Sequence, residues 1–376
     1  MRRLFIALLI LALLGAGAFF AEQWSFFAPG PLAPHGRATI VWIKPGEGSA
    51  AIGQQLQSAS VVRNGALFRL GVRLRGKNAA LKAGEYAIPS GASMADVMGI
   101  LIEGKSIEHR ITAAEGLTSR MIYEIVDKDA ALMGSAGAVP AEGTLLPETY
   151  LFIRGTTRAQ MLARMARAQQ RLLAKLWPAR APDLPFKSSA DALTLASIVE
   201  KETAIPEERR HVAAVFINRL RLGMKLQSDP TIIYGISGGY PLGRGIRESE
   251  LAAPTPYNTY VMPGLPPTPI CNPGRNAISA VLQPENSNDL YFVANGTGGH
   301  VFTSSIAEHE RNVARWRKIE QTMKAVPAPP SAPALPGLNS ALRGTSESEG
   351  APAPAAVPSP PKPRALRRHR IHHRRV

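Results

Sequence analysis

Residues 188–203 read SSADALTLASIVEKET. Ser188, followed three residues later by Asp191, starts a helix in the manner of a capping box with Asp in place of Glu. Leu195, Ile198, Val199 and Glu202 then fall at i, i+3, i+4 and i+7, which is one helix face. The spacing predicts a helix over residues 190–203 whose apolar stripe ends in a carboxyl. Glu200 lies about 200° around the axis from Glu202, beside Ala196 and Ser197, so a regular helix cannot bring the two glutamates together as a pair. A carboxyl at the edge of an apolar stripe loses solvation, which raises its pKa and keeps a proton on it near neutrality, as a general acid requires. The competing reading is a helix-end carboxylate paired with Lys201 or Arg209.

Outward from this helix, residues 106–323 read as one larger mixed domain. Helical patterns cover 159–176, 207–222 and 306–323, with Val212, Val215 and Phe216 facing inward. Residues 227–299 are rich in Gly, Pro, Asn and Thr with short strands such as 289–294, the kind of polar loop region where binding and catalysis concentrate. Tyrosines, amides and hydroxyls recur there, in QSDPT (227–231) and YNTY (257–260). Aromatic rings stack on apolar sugar faces while amides bond hydroxyl and acetamido groups, so the set suits sugar recognition. The alternative is that Asn and Thr cap loops and Tyr packs at the core edge.

Before this domain lies a small one, residues 38–105. Strands are expected at 38–43 and 84–88, an amphipathic stretch between them up to Leu74, and a helix at 93–101. The module is too small for a spacious active site and reads as a binding or spacing element. Ahead of it, Arg2 and Arg3 precede 18 uncharged residues, Leu4 to Ala21, close to the ~20 needed to span a bilayer. The predicted order is a cytoplasmic stub at 1–3, a transmembrane anchor at 4–21 and a linker at 22–37. The basic pair in front favours an N-in orientation, and Ala16-Gly17-Ala18 would also pass as a cleavage site. At the other end, residues 324–376 hold eleven prolines and no aromatic residue, a composition expected to be disordered.

The net charge of +16 divides unevenly, because residues 324–376 carry nine Lys and Arg against two acids. Nucleic-acid binding therefore rests on charge alone, and an exported domain argues against it. One cysteine, Cys271, excludes an intramolecular disulfide. Cys271 sits in a Pro-rich loop and is not favoured as a nucleophile. No HExxH, GxSxG or P-loop pattern occurs, so neither a metal nor a cofactor is expected.

The motifs ASIVEKETA (196–204), VFINRL (215–220), QSDPT and YNTY together resemble the endolytic murein transglycosylases of the YceG-like family (MltG type). KAGEY (82–86), LPETY (146–150), GLPP (264–267), NPG (272–274) and GGHVF (298–302) extend the likeness from the anchor to about residue 321. Ser228 and Cys271 stand at positions that look variable, and the Pro-rich tail lies outside the pattern.

The resemblance implies an α+β fold with a transmembrane helix, a LysM-like module at 38–105 and a catalytic domain at 106–323. It implies a single-pass inner-membrane protein with its catalytic part in the periplasm. Its substrate would be peptidoglycan glycan strands and its partners membrane peptidoglycan synthases. The implied reaction cleaves MurNAc–GlcNAc bonds within nascent strands without water, leaves 1,6-anhydro ends and terminates elongation. The family's catalytic glutamate lies in the EKET segment; Glu202 is the choice, with Glu200 as fallback. Thr203, Asn218, Gln227, Asp229, Tyr257 and Asn258 are the expected substrate-binding residues. A non-catalytic wall-binding scaffold is the alternative.

Overall fold

The computed structural model describes residues 2–325. The expected disordered tail lies, from residue 326 on, outside the described residues; Lys324 and Ala325 close the last helix, Ile306–Ala325. The described chain is mixed α+β, with three two-stranded antiparallel sheets among the described residues. It divides into two compact units: one runs to Lys201 and takes in Thr268–Gln283, and the other comprises Glu202–Pro267 and the residues from Pro284 on.

In the first unit, a 26-residue helix, Arg2–Phe27, is long and apolar enough to cross a membrane. It does not stop where the anchor was expected to give way to a linker. Glu22 and Phe26 are buried in its last turns, because the helix packs onto the small module through a glycine gap. A Cβ at Gly71 would overlap the Phe26 ring. Arg75 meets Glu22 at 2.9 Å and places its guanidinium 3.9 Å from the centre of that ring.

Strands β1 (Thr39–Ile43) and β2 (Gly84–Ile88) pair with Thr39 opposite Ile88 and Ile43 opposite Gly84. The expected amphipathic stretch between them is two helices, Ser49–Ser58 and Gly65–Leu74. The break falls where Asn64 Oδ1 accepts the Ala66 and Leu67 N–H groups at 2.9 and 3.0 Å, an N-cap that restarts the helix. Ser93 and Asp96 form the capping box of the next helix, Met94–Glu103. Val41, Ile52, Leu56, Phe68, Tyr86 and Val97 fill the core.

Strands β3 (Glu108–Thr112) and β4 (Thr149–Ile153) pair next. Buried Glu85 joins the two sheets of this unit, accepting from Arg154 at 2.5 Å and meeting His109 at 2.7 Å. Helix Ser189–Glu202 starts as expected: Ser188 N–H donates to Asp191 Oδ2 at 3.0 Å, and Asp191 N–H donates to Ser188 Oγ at 3.2 Å. Every residue from Ala192 to Val199 is buried, so the helix is enclosed on all sides rather than along one stripe.

In the second unit, helix Arg209–Arg221 packs against strand β5 (Tyr291–Ala294), which pairs with β6 (His300–Thr303). Phe216 meets Phe292 edge-on at 5.8 Å, and His211 stacks on Phe302 at 3.7 Å. Helix Asp229–Ser237 lies where a loop with short strands was expected. Its β-branched Thr231-Ile232-Ile233 run is weakly helical. Its boundaries are nevertheless marked, by Pro230 in the first turn and by Gly238 at φ 65° after the last.

Candidate functional site

Glu202 closes helix Ser189–Glu202 and opens the second unit. Its side chain is half-buried, and Ser228 Oγ donates to its Oε1 at 2.5 Å. Loss of solvation pushes its pKa up to about 7; the Ser228 hydrogen bond and the Arg219 charge pull it down, and the Asp229 charge adds to the rise. At that value the carboxyl holds and releases a proton in the neutral range. Glu200, two residues earlier, belongs to the first unit, where its Oε2 accepts the Gly274 N–H at 2.9 Å. The two glutamates have different partners, as the helix geometry required.

Ser228 precedes helix Asp229–Ser237 in the N-cap position, yet its side chain makes no capping bond. Its hydroxyl goes to Glu202 instead, and its backbone is held from several sides. Ser228 N–H donates to Thr259 Oγ1 at 3.0 Å, and Thr231 Oγ1 donates to Ser228 O at 2.6 Å. Gln227, just before it, has φ 53°, in the left-handed region, and donates its N–H to Thr259 O at 3.1 Å. A non-Gly residue holds such a conformation only where its surroundings impose it. Here Arg219 helps to impose it, donating to Leu226 O at 2.9 Å and to Gln227 Oε1 at 3.3 Å.

Arg219 is itself buried, and its Nε donates to Leu290 O at 2.7 Å. Burial lowers its pKa, against the raising influence of Tyr291, Tyr260 and Glu202. Tyr260 donates to Asp229 Oδ1 at 2.6 Å, and its own pKa is raised, first by burial and then by the Asp229 charge. The carboxyl of Glu202 thus has a hydroxyl donor, and a buried cation and a second carboxylate act on it electrostatically.

The other expected site residues divide. Asp229 and Gln227 belong to this network, and Gln227 is exposed. Tyr257 is half-buried, with its ring 4.9 Å from Tyr234. Thr203 is buried and accepts the Ile205 N–H on its Oγ1 at 3.0 Å, a local turn bond. Asn218 donates to Ser287 O and Asp289 O at 2.7 and 3.1 Å. Asn258 is fully buried: its Nδ2 reaches Glu250 O, Leu251 O and Ala253 O within 3.1 Å, and its Oδ1 accepts the Tyr260 N–H. Both amide groups donate to backbone carbonyls of their own unit and so tie its loops together. Neither Ser228 nor Arg219 was expected in the site. Cys271 is buried, with its thiol pushed up by burial, and donates to Ser197 O. Among the described residues, no group of three or more His, Cys, Asp and Glu side chains is placed to hold a metal ion.

The profile of the YceG-like family matches residues 41–315. Two Streptococcus pneumoniae proteins, each named endolytic murein transglycosylase, are 30% identical over 357 residues, covering 82% of this chain and 64% of theirs. The chain thus spans less than two thirds of those relatives. A Bacillus subtilis protein of the same name is 34% identical over 172 residues, 46% of this chain and 47% of that one. A crystal structure of a YceG-like protein from Listeria monocytogenes matches 72% of this chain and 98% of its own, at 28% identity and a TM-score of 0.45.

Proposed function

Because the chain belongs to the YceG-like family, we propose that it is an endolytic transglycosylase acting on peptidoglycan, with Glu202 as its catalytic acid and base. The observation that carries the assignment is the Glu202 carboxyl itself. It is held by Ser228 at 2.5 Å and poised by loss of solvation at about pH 7.

Hydrolytic glycosidases usually divide their work between two carboxylates, one of which activates water or attacks the sugar. A transglycosylase that forms an anhydro ring needs one group that works twice. Protonated Glu202 gives its proton to the glycosidic oxygen as the bond from the MurNAc anomeric carbon breaks. The substrate's own acetamido oxygen supports the positive centre that results. The carboxylate then takes the proton of the MurNAc C6 hydroxyl, whose oxygen closes onto the anomeric carbon. Glu202 returns protonated, and no water is consumed. Each role is worth about 10²–10⁴-fold.

Ser228 binds the charged carboxylate and keeps Oε1 occupied, which leaves Oε2 to carry the mobile proton. Asp229, Gln227 and Tyr257 are proposed to meet the glycan, whereas Thr203, Asn218 and Asn258 shape the loops that present them. The paired strands enclosing two helices at residues 39–88 support the reading of that module as LysM-like and glycan-facing. The Arg2–Phe27 helix would anchor the chain in the inner membrane with the module and Glu202 outside the cytoplasm, beside the synthases that make its substrate. Mass spectrometry of uncrosslinked glycan strands treated with the full chain tests the proposal: 1,6-anhydro ends support it, and intact strands contradict it.

A further inference from the structure

We infer that the exposed side of helix Gly65–Leu74, together with Trp24 and Phe27, is a membrane-surface site whose occupant is the anionic headgroup layer of the bilayer. This rests on the proposal that helix Arg2–Phe27 crosses that bilayer.

The first argument is one of length. The apolar run from Leu4 to Ala21 rises about 27 Å as a helix, close to the ~30 Å hydrocarbon thickness. Every described residue up to Ala21 is exposed, and Glu22 is the first that is buried. The module therefore begins to pack on the helix at the residue where the apolar run stops. No slack separates them: the helix is continuous through Phe27, and the Glu22–Arg75 pair and the Gly71–Phe26 contact fasten it. Whatever flanks that contact lies at headgroup depth.

The second argument is what flanks it. Trp24 is 81% exposed and Phe27 60%, both in the turns just past the apolar run, where amphipathic aromatic rings favour the membrane interface. On the partner helix, Leu70 and Leu74 stand exposed at i and i+4, beside the Gly71 that meets Phe26. Arg63, Arg69, Arg73 and Lys77 are exposed on and around the same helix. Between Glu47 and Glu85 the chain carries six basic residues and no acid. A scattered exposed leucine needs no explanation. Two on the flank of an anchor contact, within a wholly basic stretch, match a surface that is apolar beneath and negative above.

The test uses the full chain in a Cys271→Ala background, reconstituted in nanodiscs of phosphatidylglycerol and phosphatidylethanolamine. Nitroxide labels are placed singly at Leu70→Cys, Leu74→Cys, Leu11→Cys and Ala87→Cys. Ala87 is exposed on the outer face of the β1–β2 sheet. The expected result is that labels at 70 and 74 resist the aqueous nickel relaxant and admit oxygen, at a depth between those of Leu11 and Ala87. In discs of neutral phosphatidylcholine the same labels should move toward the Ala87 value. Labels at 70 and 74 as water-exposed as Ala87, with Leu11 in hydrocarbon, overturn the inference and leave the anchor intact. Insertion unchanged in neutral discs overturns the anionic occupant. A water-exposed Leu11 label contradicts the anchor itself, and the inference with it.

Discussion

Ser228 Oγ donates to Glu202 Oε1 at 2.5 Å, although 26 positions of chain separate the two residues. The serine stands where a helix cap would be, but its hydroxyl is spent on the carboxyl of another helix. A donor to a carboxylate stabilises the charged form, so this bond opposes the desolvation that raises the Glu202 pKa.

Ser228→Ala removes that opposition. The acid must be protonated to act, so activity in the wild-type chain should fall as pH rises through about 7. In the alanine variant the alkaline limb should move up by roughly one pH unit, from the loss of a charge-assisted hydrogen bond. The maximal rate should drop, and Ser228→Thr should recover much of it. The pH dependence of anhydro-product release measures both. An unshifted limb would assign Ser228 to loop structure alone.

Glu202 should also cost the fold stability in its charged form. Its folded pKa, about 7, lies above the ordinary 4.5, so the folded state binds a proton that the unfolded state releases. The effect is absent below about pH 4 and reaches its full size above pH 7. Glu202→Gln should therefore be about 1–3 kcal/mol more stable than wild type at pH 8, with the difference vanishing on acidification. Denaturant unfolding at pH 4, 6 and 8 reads this without reference to activity.

Asn258 and Gln227 should separate under the same substitution. Asn258→Ala leaves three carbonyls without their donor and should cost about 1–3 kcal/mol of stability. Gln227→Ala removes an exposed side chain that takes only one of several Arg219 hydrogen bonds and should cost no more than about 1 kcal/mol of stability while raising KM for glycan. Thermal melts beside steady-state kinetics give the comparison. Equal destabilisation by both would remove Gln227 from the proposed binding set.

Much of the architecture was legible because local chemistry decides it. Ser188 and Asp191 set the start of the Glu202 helix, and a run of β-branched and aromatic residues, Thr39 to Ile43, placed β1. The rest depended on distant partners. Glu22 looked like the end of an apolar run followed by linker, because its burial comes from Arg75, 53 residues away. Ser228 looked like a variable position in a polar loop, and only the folded chain brings its hydroxyl to Glu202. The backbone partners of Asn218 and Asn258 could not be read from the sequence, because an amide serves a sugar hydroxyl or a backbone carbonyl equally well. Arg219 was passed over because an arginine on a helix usually faces water, whereas this one is enclosed by carbonyls.

The central claim is that one carboxyl, Glu202, both breaks the glycosidic bond and closes the anhydro ring without water. The direct measurement is mass spectrometry of glycan products formed by wild type and Glu202→Gln in water enriched in heavy oxygen. Wild type should give anhydro-ended products free of the heavy isotope, and the glutamine variant should lose activity by at least about 10²-fold. Heavy oxygen at the new ends, or full activity without the carboxyl, would contradict it.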